Sequence, residues 1–320
     1  MSLPQGAQPV GPSPAVRPRS LGAEPTARRS RRRDPVRFLF LAPALGLLAL
    51  VTLLPMAYAL GISFFRYLIT QPYRRPFVFL QNYLAVLTDE TTAHSLRVTL
   101  AFGFWSVAWE LVIGFALALL LRQISRGRLV FLGILMLPMM LPPVAVALMW
   151  RILLHPDLGI VNYLLSQAGL PALPWLASPE TALATVIFVD VWQWTPFMFL
   201  LLYAGLLSLP SEPFEAARVD GATLLQQFGY LTLPLMAPVL LVAVVVRLID
   251  ALKTYALIYI LTDGGPGIST ETVTYHIYRL GFVSSDMGRA SALSYLLSLV
   301  IVGLTIILVF RGRRAAFVTA

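Results

Sequence analysis

Six long apolar segments dominate this sequence, and each is interrupted by few charged residues. A helix needs about 20 such residues to cross the roughly 30 Å hydrocarbon core of a bilayer. Only 12% of the residues are charged, whereas a soluble domain typically has about 25%. The sequence therefore predicts an all-α, polytopic membrane protein with six transmembrane helices. We assign these helices to Phe38–Phe65, Val98–Leu121, Leu129–Trp150, Thr181–Leu209, Pro234–Thr262 and Ala290–Phe310.

The distribution of basic residues predicts how these spans are oriented. If the N-terminus is cytoplasmic, the cytoplasmic segments hold fifteen basic residues and the outer segments hold seven. Basic residues close to the spans favour the cytoplasmic side. We therefore expect a multi-pass membrane protein with both termini in the cytoplasm.

The two ends of the chain differ in composition from the membrane domain at residues 38–315. Residues 1–37 combine seven prolines with an arginine cluster at 28–33, and too few apolar residues remain to form a core. We predict a disordered, basic cytoplasmic tail that contacts anionic lipid, and a short cytoplasmic end at 316–320. The net charge of +9 comes mostly from this tail and does not indicate nucleic-acid binding.

A polar loop at residues 210–234, here called the elbow, separates spans four and five. Pro213 fits the first turn of a short helix ending at Val219, and Gly221 then permits a sharp turn. A second short helix is predicted over Ala222–Tyr230, with leucine and phenylalanine on one face. The residues alone leave two interpretations open, a solvated connector and a docking element.

The spacing within the elbow resembles a known motif. Glu215-Ala216-Ala217, three residues, Gly221, nine residues and then Leu231-Thr232-Leu233-Pro234 are similar to the EAA loop of ABC importer permeases. That resemblance implies a coupling helix that docks into a cleft on a separate cytoplasmic ATPase. The residues expected to couple the two proteins are Glu215, Ala216, Ala217, Asp220, Gly221 and Leu225.

Charged residues inside the spans are costly, at about 2.5–3.5 kcal/mol each, and should face other helices or water. Glu110 in span two could serve an interhelical hydrogen bond or transport. In span five, Arg247, Asp250 and Lys253 follow one another at three-residue intervals near the predicted centre. An internal ladder of ion pairs around Asp250 is one interpretation of these charges, and a polar pathway is the other.

Span four carries a polar and aromatic face. Asp190, Gln193, Trp194 and Phe197 share one side of a helix, which would suit a neutral polyhydroxylated ligand or simple packing. Span three has prolines at 138, 142 and 143, which predict a helix break near the middle of the membrane, and broken helices often border a cavity. We predict a substrate pathway lined by Asp190, Gln193, Trp194 and Asp250.

A second stretch of the sequence resembles one branch of this family. Leu261-Thr262-Asp263-Gly264-Gly265-Pro266, followed by Glu271-Thr272, resembles the carbohydrate branch (maltose and glycerol-phosphate type) of the importer permeases. The branch often has an acid at the position of Ala256, so the chain departs from it there. The resemblance extends over residues 38–315.

Several chemistries are excluded by the residues that are missing. The only lysine, Lys253, is not part of a phosphate-binding loop, so the chain is not expected to hydrolyse ATP. His94, His155 and His276 are widely spaced in outer segments, and we expect surface residues with no metal site. No catalytic, cofactor or metal residue is predicted, and ATP is expected to bind a partner subunit.

The resemblance implies a permease subunit of the bacterial cytoplasmic (inner) membrane that carries a sugar or polyol by alternating access. Its expected partners are a second permease that is a sister chain, an ATP-binding cassette ATPase dimer, an extracytoplasmic substrate-binding protein and membrane lipid. Glycerol phosphate or another small solute is the alternative cargo. A secondary transporter and a membrane-embedded enzyme are the rival classes, but the first gives the elbow no role and the second lacks a catalytic set.

Overall fold

The computed structural model describes residues 35–124 and 126–318. Most of the predicted tail at 1–37 lies outside these residues. Short π-helical turns at Phe228–Thr232 and Arg279–Val283 adjoin the α-helices. The α-helices are α1 Pro35–Ser63, α2 Gln81–Leu87, α3 Glu90–Gln123, α4 Arg128–Met140, α5 Pro143–Leu153, α6 Ile160–Gln167, α7 Pro179–Leu207, α8 Glu212–Val219, α9 Leu224–Gln227, α10 Leu233–Ala251, α11 Ala256–Leu261, α12 Val273–Tyr278 and α13 Met287–Val318.

The prediction of an all-α membrane protein is confirmed. Within the described residues, five helices are long and apolar enough to span a bilayer, and α4 with α5 makes a sixth, broken span. The predicted ends of the spans differ by several residues from the helices, because helices α3 and α13 extend past the apolar runs. The C-terminal segment that we expected at 316–320 is helical as far as Val318.

The third predicted span is two helices that meet at an angle of 91°. Helix α4 ends at Met140, and Pro143 occupies the first turn of α5. A proline cannot donate the backbone hydrogen bond that would continue the helix, and it disfavours helical geometry in the residue before it. The predicted break is therefore present, and the chain turns sharply at Leu141 and Pro142.

The fifth span is shorter than predicted, since α10 ends at Ala251 and not at Thr262. The next backbone N–H groups bond three residues back, Lys253 N to Asp250 O at 3.1 Å and Thr254 N to Ala251 O at 3.1 Å, and α11 then begins. Asp250 consequently lies near the end of a helix, not near the centre of a span as we predicted. The long apolar run concealed this turn, because α11 is as apolar as the helix before it.

Helices α3 and α7 form the core of the membrane domain, and α10 packs against both. Their shared interface contains fully buried side chains, including Phe102, Met198 and Phe199. Gly114 allows the two backbones to approach closely, since a Cβ there would lie 2.9 Å from the amide nitrogen of Phe199. Three helices that carry intramembrane charges are thereby brought together.

One prediction about the outer segments is wrong. His276 is buried, whereas we expected a surface residue. Its Nδ1 lies 2.7 Å from Glu271 Oε1, and its Nε2 lies 3.3 Å from Thr92 Oγ1. The packing of α12 against the start of α3 covers the ring, and these polar neighbours satisfy both ring nitrogens.

Candidate functional site

The charged residues of three helices converge on a single buried arginine. Arg247 of α10 pairs with Glu110 of α3 and with Asp190 of α7, and all three side chains are at most 3% exposed. Arg247 Nη1 also lies 3.2 Å from Asp250 Oδ2 on the same helix. We call these four residues the charge cluster.

Glu110 makes two contacts with the guanidinium group. Arg247 Nη2 donates a hydrogen bond to Glu110 Oε1 at 2.8 Å, while Nε lies 2.8 Å from Oε2 without the alignment of a hydrogen bond. Such a two-point contact fixes the orientation of the guanidinium plane as well as its position. The guanidinium group therefore has a defined orientation between α3 and α7.

Two residues of the predicted pathway, one within the charge cluster and one next to it, are accessible to solvent. The Asp250 side chain is 54% exposed, and the indole of Trp194 is half-buried. The guanidinium carbon of Arg247 lies 5.2 Å from the centre of the Trp194 ring, within the range of a cation–π interaction. Asp190, Trp194 and Asp250 thus surround one arginine, with the aromatic ring and one carboxylate left open to a ligand.

Gln193, the fourth predicted pathway residue, has a different neighbour. It is 1% exposed, and its Nε2 donates to the backbone carbonyl of Leu141 at 3.1 Å. That carbonyl belongs to the break between α4 and α5, where helical partners are lost. Gln193 therefore joins α7 to the broken span.

Lys253 lies apart from the charge cluster. Its side chain is exposed, and it makes no ion pair with any residue in 35–124 or 126–318. We had expected Arg247 and Lys253 to pair with Asp250, and only Arg247 does so. The turn after Ala251 directs the lysine away from α10.

The elbow begins with α8, whose first turn contains Glu212 and Glu215. Acidic residues at a helix N-terminus are favoured by the helix dipole. After Asp220, Gly221 adopts a φ of +78°, a conformation that is strained for any residue with a Cβ. A Cβ at Gly221 would contact no atom within 4 Å, so the glycine is required by backbone conformation and not by space.

The second part of the elbow begins later than predicted, at Leu224 instead of Ala222. Thr223 caps this helix, accepting a hydrogen bond from Gln226 N at 3.3 Å while Gln226 Oε1 accepts one from Thr223 N at 2.8 Å. This capping box fixes the first residue of α9. Helix α9 then continues through the π-helical turn into α10.

The elbow exposes apolar side chains. Leu225 is 84% exposed, and Val219, Leu224 and Tyr230 are exposed to a similar extent. A groove of about 730 Å³ lies between Leu224 and Leu225 of the elbow and the end of α3, where Arg122 and Arg218 border it. Among the predicted coupling residues, Glu215, Ala216, Asp220 and Gly221 are also exposed, whereas Ala217 is half-buried.

The loop after α11 is held in an unusual backbone conformation. Asp263 and Gly264 have φ values of +54° and +79°, and Tyr275 Oη donates to Asp263 Oδ1 at 2.7 Å. Burial and this hydrogen bond raise the pKa of the Tyr275 hydroxyl above its usual range, so it stays a donor at neutral pH. A Cβ at Gly264 would lie 2.6 Å from the Tyr275 ring, which requires glycine there.

Sequence reasoning missed the central role of Arg247. We treated Arg247 as a partner of Asp250 within one helix and left Glu110 between two roles. One signal was available, because Glu110 and Asp190 are acids in other spans and each needs a buried cation. Arg247 and Lys253 are the two basic residues within the predicted spans, and the structure places Arg247 between the acids.

Comparison with known proteins agrees with this architecture. Residues 110–317 match the family described as "binding-protein-dependent transport system inner membrane component". The chain is 36% identical over 291 residues to the trehalose/maltose transport system permease protein MalF of Thermococcus litoralis, covering 90% of this chain and 97% of that protein. It is 30% identical to the sn-glycerol-3-phosphate transport system permease protein UgpA of Brucella abortus, covering 84% and 91%.

A solved structure shares the fold. A chain from a bacterial ABC transporter involved in import of the acidic polysaccharide alginate superposes with a TM-score of 0.76 at 24% identity. The match covers 88% of this chain and 96% of that chain. The predicted importer permease is confirmed: the chain belongs to the family of inner-membrane components of binding-protein-dependent transport systems.

Proposed function

We propose that this chain forms part of the translocation pathway for a neutral sugar or polyol. The observation that carries the proposal is the accessible surface at the charge cluster, where the Trp194 ring and the half-exposed Asp250 carboxylate both lie against Arg247. An aromatic face can stack on the C–H face of a sugar ring, and a carboxylate accepts hydrogen bonds from its hydroxyl groups. The similarity to a trehalose/maltose permease supports this ligand class.

Asp190 and Gln193 belong to the same pathway in this proposal, as residues that shape it. Asp190 fixes the arginine that lies against Trp194, and Gln193 fixes the break in the third span. The substrate then meets Trp194 and Asp250 directly. Arg247 is unavailable to an anionic substrate, because three carboxylates already surround it.

A second candidate substrate is glycerol phosphate, favoured by the exposed Lys253 three residues after Asp250. An ammonium group at this position could bind a phosphate. The similarity to a glycerol-phosphate permease points to the same ligand. Substitution of Lys253 by methionine should abolish uptake of such an anion and leave uptake of a neutral sugar unchanged.

The proposal includes a complete importer. A second permease, an ATP-binding ATPase dimer and an extracytoplasmic binding protein would complete the complex, and lipid would surround it. The elbow would dock on the ATPase through Glu215, Ala216, Ala217, Asp220, Gly221 and Leu225. Closure of the ATPase dimer on ATP would then move the elbow and reopen the pathway outward.

The docking proposal requires the elbow and both termini to lie in the cytoplasm. Because the chain has no cysteine, single cysteines report accessibility directly. Ser211→Cys in the elbow should react with an impermeant thiol reagent only after the cytoplasmic face is opened, and Ser166→Cys in α6 should react in intact cells. Labelling of Ser211→Cys from outside would contradict this orientation.

Transport by the reconstituted complex tests the substrate class. Uptake of trehalose, maltose and sn-glycerol 3-phosphate should be compared in proteoliposomes that contain all subunits and the binding protein. Trp194→Ala should reduce sugar uptake strongly and preserve assembly and basal ATPase activity, whereas Trp109→Ala, at an exposed tryptophan of α3, should have little effect. Unchanged uptake by Trp194→Ala at low substrate would overturn the proposed pathway.

A further inference from the structure

Four aromatic side chains beyond the end of α10 form a continuous surface, which we call the aromatic ladder. It consists of Tyr255, Tyr259, Tyr278 and Phe282. Ring centres are 5.5 Å apart between Tyr255 and Tyr259, 5.3 Å between Tyr255 and Tyr278, and 5.5 Å between Tyr278 and Phe282. Each ring therefore touches the next, and none of the sequence motifs described above accounts for them.

The ladder is most exposed at its two ends. Tyr255 and Tyr278 are half-buried, Tyr259 is 41% exposed and Phe282 is 67% exposed. Rings that serve only as core packing are covered, as Phe102 and Phe199 are between α3 and α7. The ladder instead presents accessible ring surface, and three of its four members carry a hydroxyl group.

The ladder follows the proposed substrate site along the chain. The tight turn after α10 leads from Asp250 to Tyr255 in five residues. The second half of the ladder is tied to the same turn, since Thr274 Oγ1 donates to Leu252 O at 3.4 Å. Both halves of the ladder are thus attached to the turn that follows Asp250, and Phe282 precedes the start of α13 by five residues.

The chemistry of this surface suits a neutral sugar. Aromatic rings present a negative face that attracts C–H groups, and tyrosine hydroxyls can exchange hydrogen bonds with sugar hydroxyls. The neighbouring carboxylate of Asp263 is exposed and would repel an anion. Because the rings form a row and not a single deep pocket, a ligand would bind weakly to one ring and then move to the next.

We propose that the aromatic ladder binds the pyranose rings of a neutral carbohydrate on its way to Trp194 and Asp250. This inference rests on the proposed function and adds an entry site to it. It predicts that removing accessible rings weakens capture at low substrate and leaves the maximal rate intact. The residues to test are Tyr259 and Phe282, which have the most accessible rings.

Uptake kinetics of the complete complex in proteoliposomes provide the test. Tyr259→Ala and Phe282→Ala should each raise the half-saturating concentration of sugar-loaded binding protein by roughly three- to tenfold, the effect expected of one lost aromatic contact. Tyr259→Phe and Phe282→Tyr should retain wild-type kinetics. Tyr163→Ala, at an exposed tyrosine of α6, is the matched control and should also behave as wild type.

Single cysteines add a direct measurement of occupancy. Tyr259→Cys should react more slowly with a thiol reagent during sugar transport than with ATP and unloaded binding protein, and Tyr163→Cys should react equally in both conditions. Unchanged kinetics in both alanine variants would overturn the ladder. Loss of the second permease on purification of Tyr259→Ala would instead identify a subunit interface and would also overturn it.

The two proposals fail in different ways. If the wild-type complex takes up no carbohydrate, the proposed function is wrong and the ladder proposal falls with it. If the wild type takes up sugar and Trp194→Ala does not, while the ladder variants remain normal, only the ladder proposal is overturned.

Discussion

The charge cluster and the elbow differ in which side chains they bury: the cluster buries charged ones, and the elbow exposes apolar ones. The charge cluster buries Glu110, Asp190 and Arg247 within the membrane domain and satisfies them with one another. The elbow, which runs into the start of the fifth span, exposes large apolar side chains such as Leu224 and Leu225. The first region is complete within one chain, and the second has a surface that another protein could cover. Substitutions in the two regions should therefore have different consequences.

The largest effect is expected in the charge cluster. Arg247→Ala would leave two buried carboxylates without a cation, and breaking a buried ion pair from one side costs about 3–5 kcal/mol. We expect loss of the folded subunit, measured as a fall in the melting temperature and yield of the detergent-solubilised protein. Arg218→Ala, at an exposed arginine of the elbow, is the control and should melt like wild type. Equal melting of the two variants would show that the cluster does not stabilise the fold.

A smaller loss of stability is expected at the break in the third span. Gln193→Leu keeps the side-chain volume but removes the part-buried hydrogen bond to the Leu141 carbonyl, and such a bond contributes about 0.5–1.5 kcal/mol. Gln193→Glu at a pH that protonates the new side chain should restore a donor and part of the stability. Thermal unfolding followed over pH measures both variants. If the leucine variant were as stable as wild type, another group would have to donate a hydrogen bond to the Leu141 carbonyl.

In the elbow, Gly221→Ala introduces a Cβ at positive φ and should cost about 1–2 kcal/mol locally. We expect the subunit to remain in the membrane while substrate-stimulated ATPase activity falls. Gly229→Ala is the matched control, because Gly229 also has open space at its Cβ position and lacks a positive φ. If Gly221→Ala strained the turn and still retained full substrate-stimulated ATPase activity, that result would argue against a coupling role for the elbow.

The sharpest contrast with the charge cluster comes from Leu225→Ser. Surface substitutions usually change stability by less than about 0.5 kcal/mol, and Leu225 is 84% exposed, so melting should be unchanged. The ATPase should nevertheless co-purify less well, because an apolar contact with it is lost. A drop in melting temperature with normal co-purification would mean that Leu225 packs within its own chain.

The apolar runs predicted the fold because membrane spans leave little choice of structure. Prolines 138, 142 and 143 likewise located the break between α4 and α5. The end of α10 was not predictable in this way, since apolar residues resume at Tyr255 and continue to Leu261 after Lys253 and Thr254.

The candidate site was predictable in its parts but not in its connections. Helical periodicity placed Asp190, Gln193 and Trp194 on one face of α7, and the structure keeps them adjacent. It could not show that Asp190 pairs with Arg247 while Gln193 bonds Leu141, because those contacts depend on which helices are neighbours. The buried His276 was missed for the same reason, since its partner Thr92 is far away in sequence.

The uninterrupted path from α9 through the π-helical turn into α10 has a mechanical consequence. Residues Leu224–Ala251 form 28 helical residues, about 42 Å at 1.5 Å per residue. A rigid rod of that length, tilted by about 10° at the elbow, displaces its far end by roughly 7 Å. That far end carries Arg247 and Asp250. A modest rocking of one terminus is therefore geometrically sufficient to shift the other by more than the width of a sugar ring.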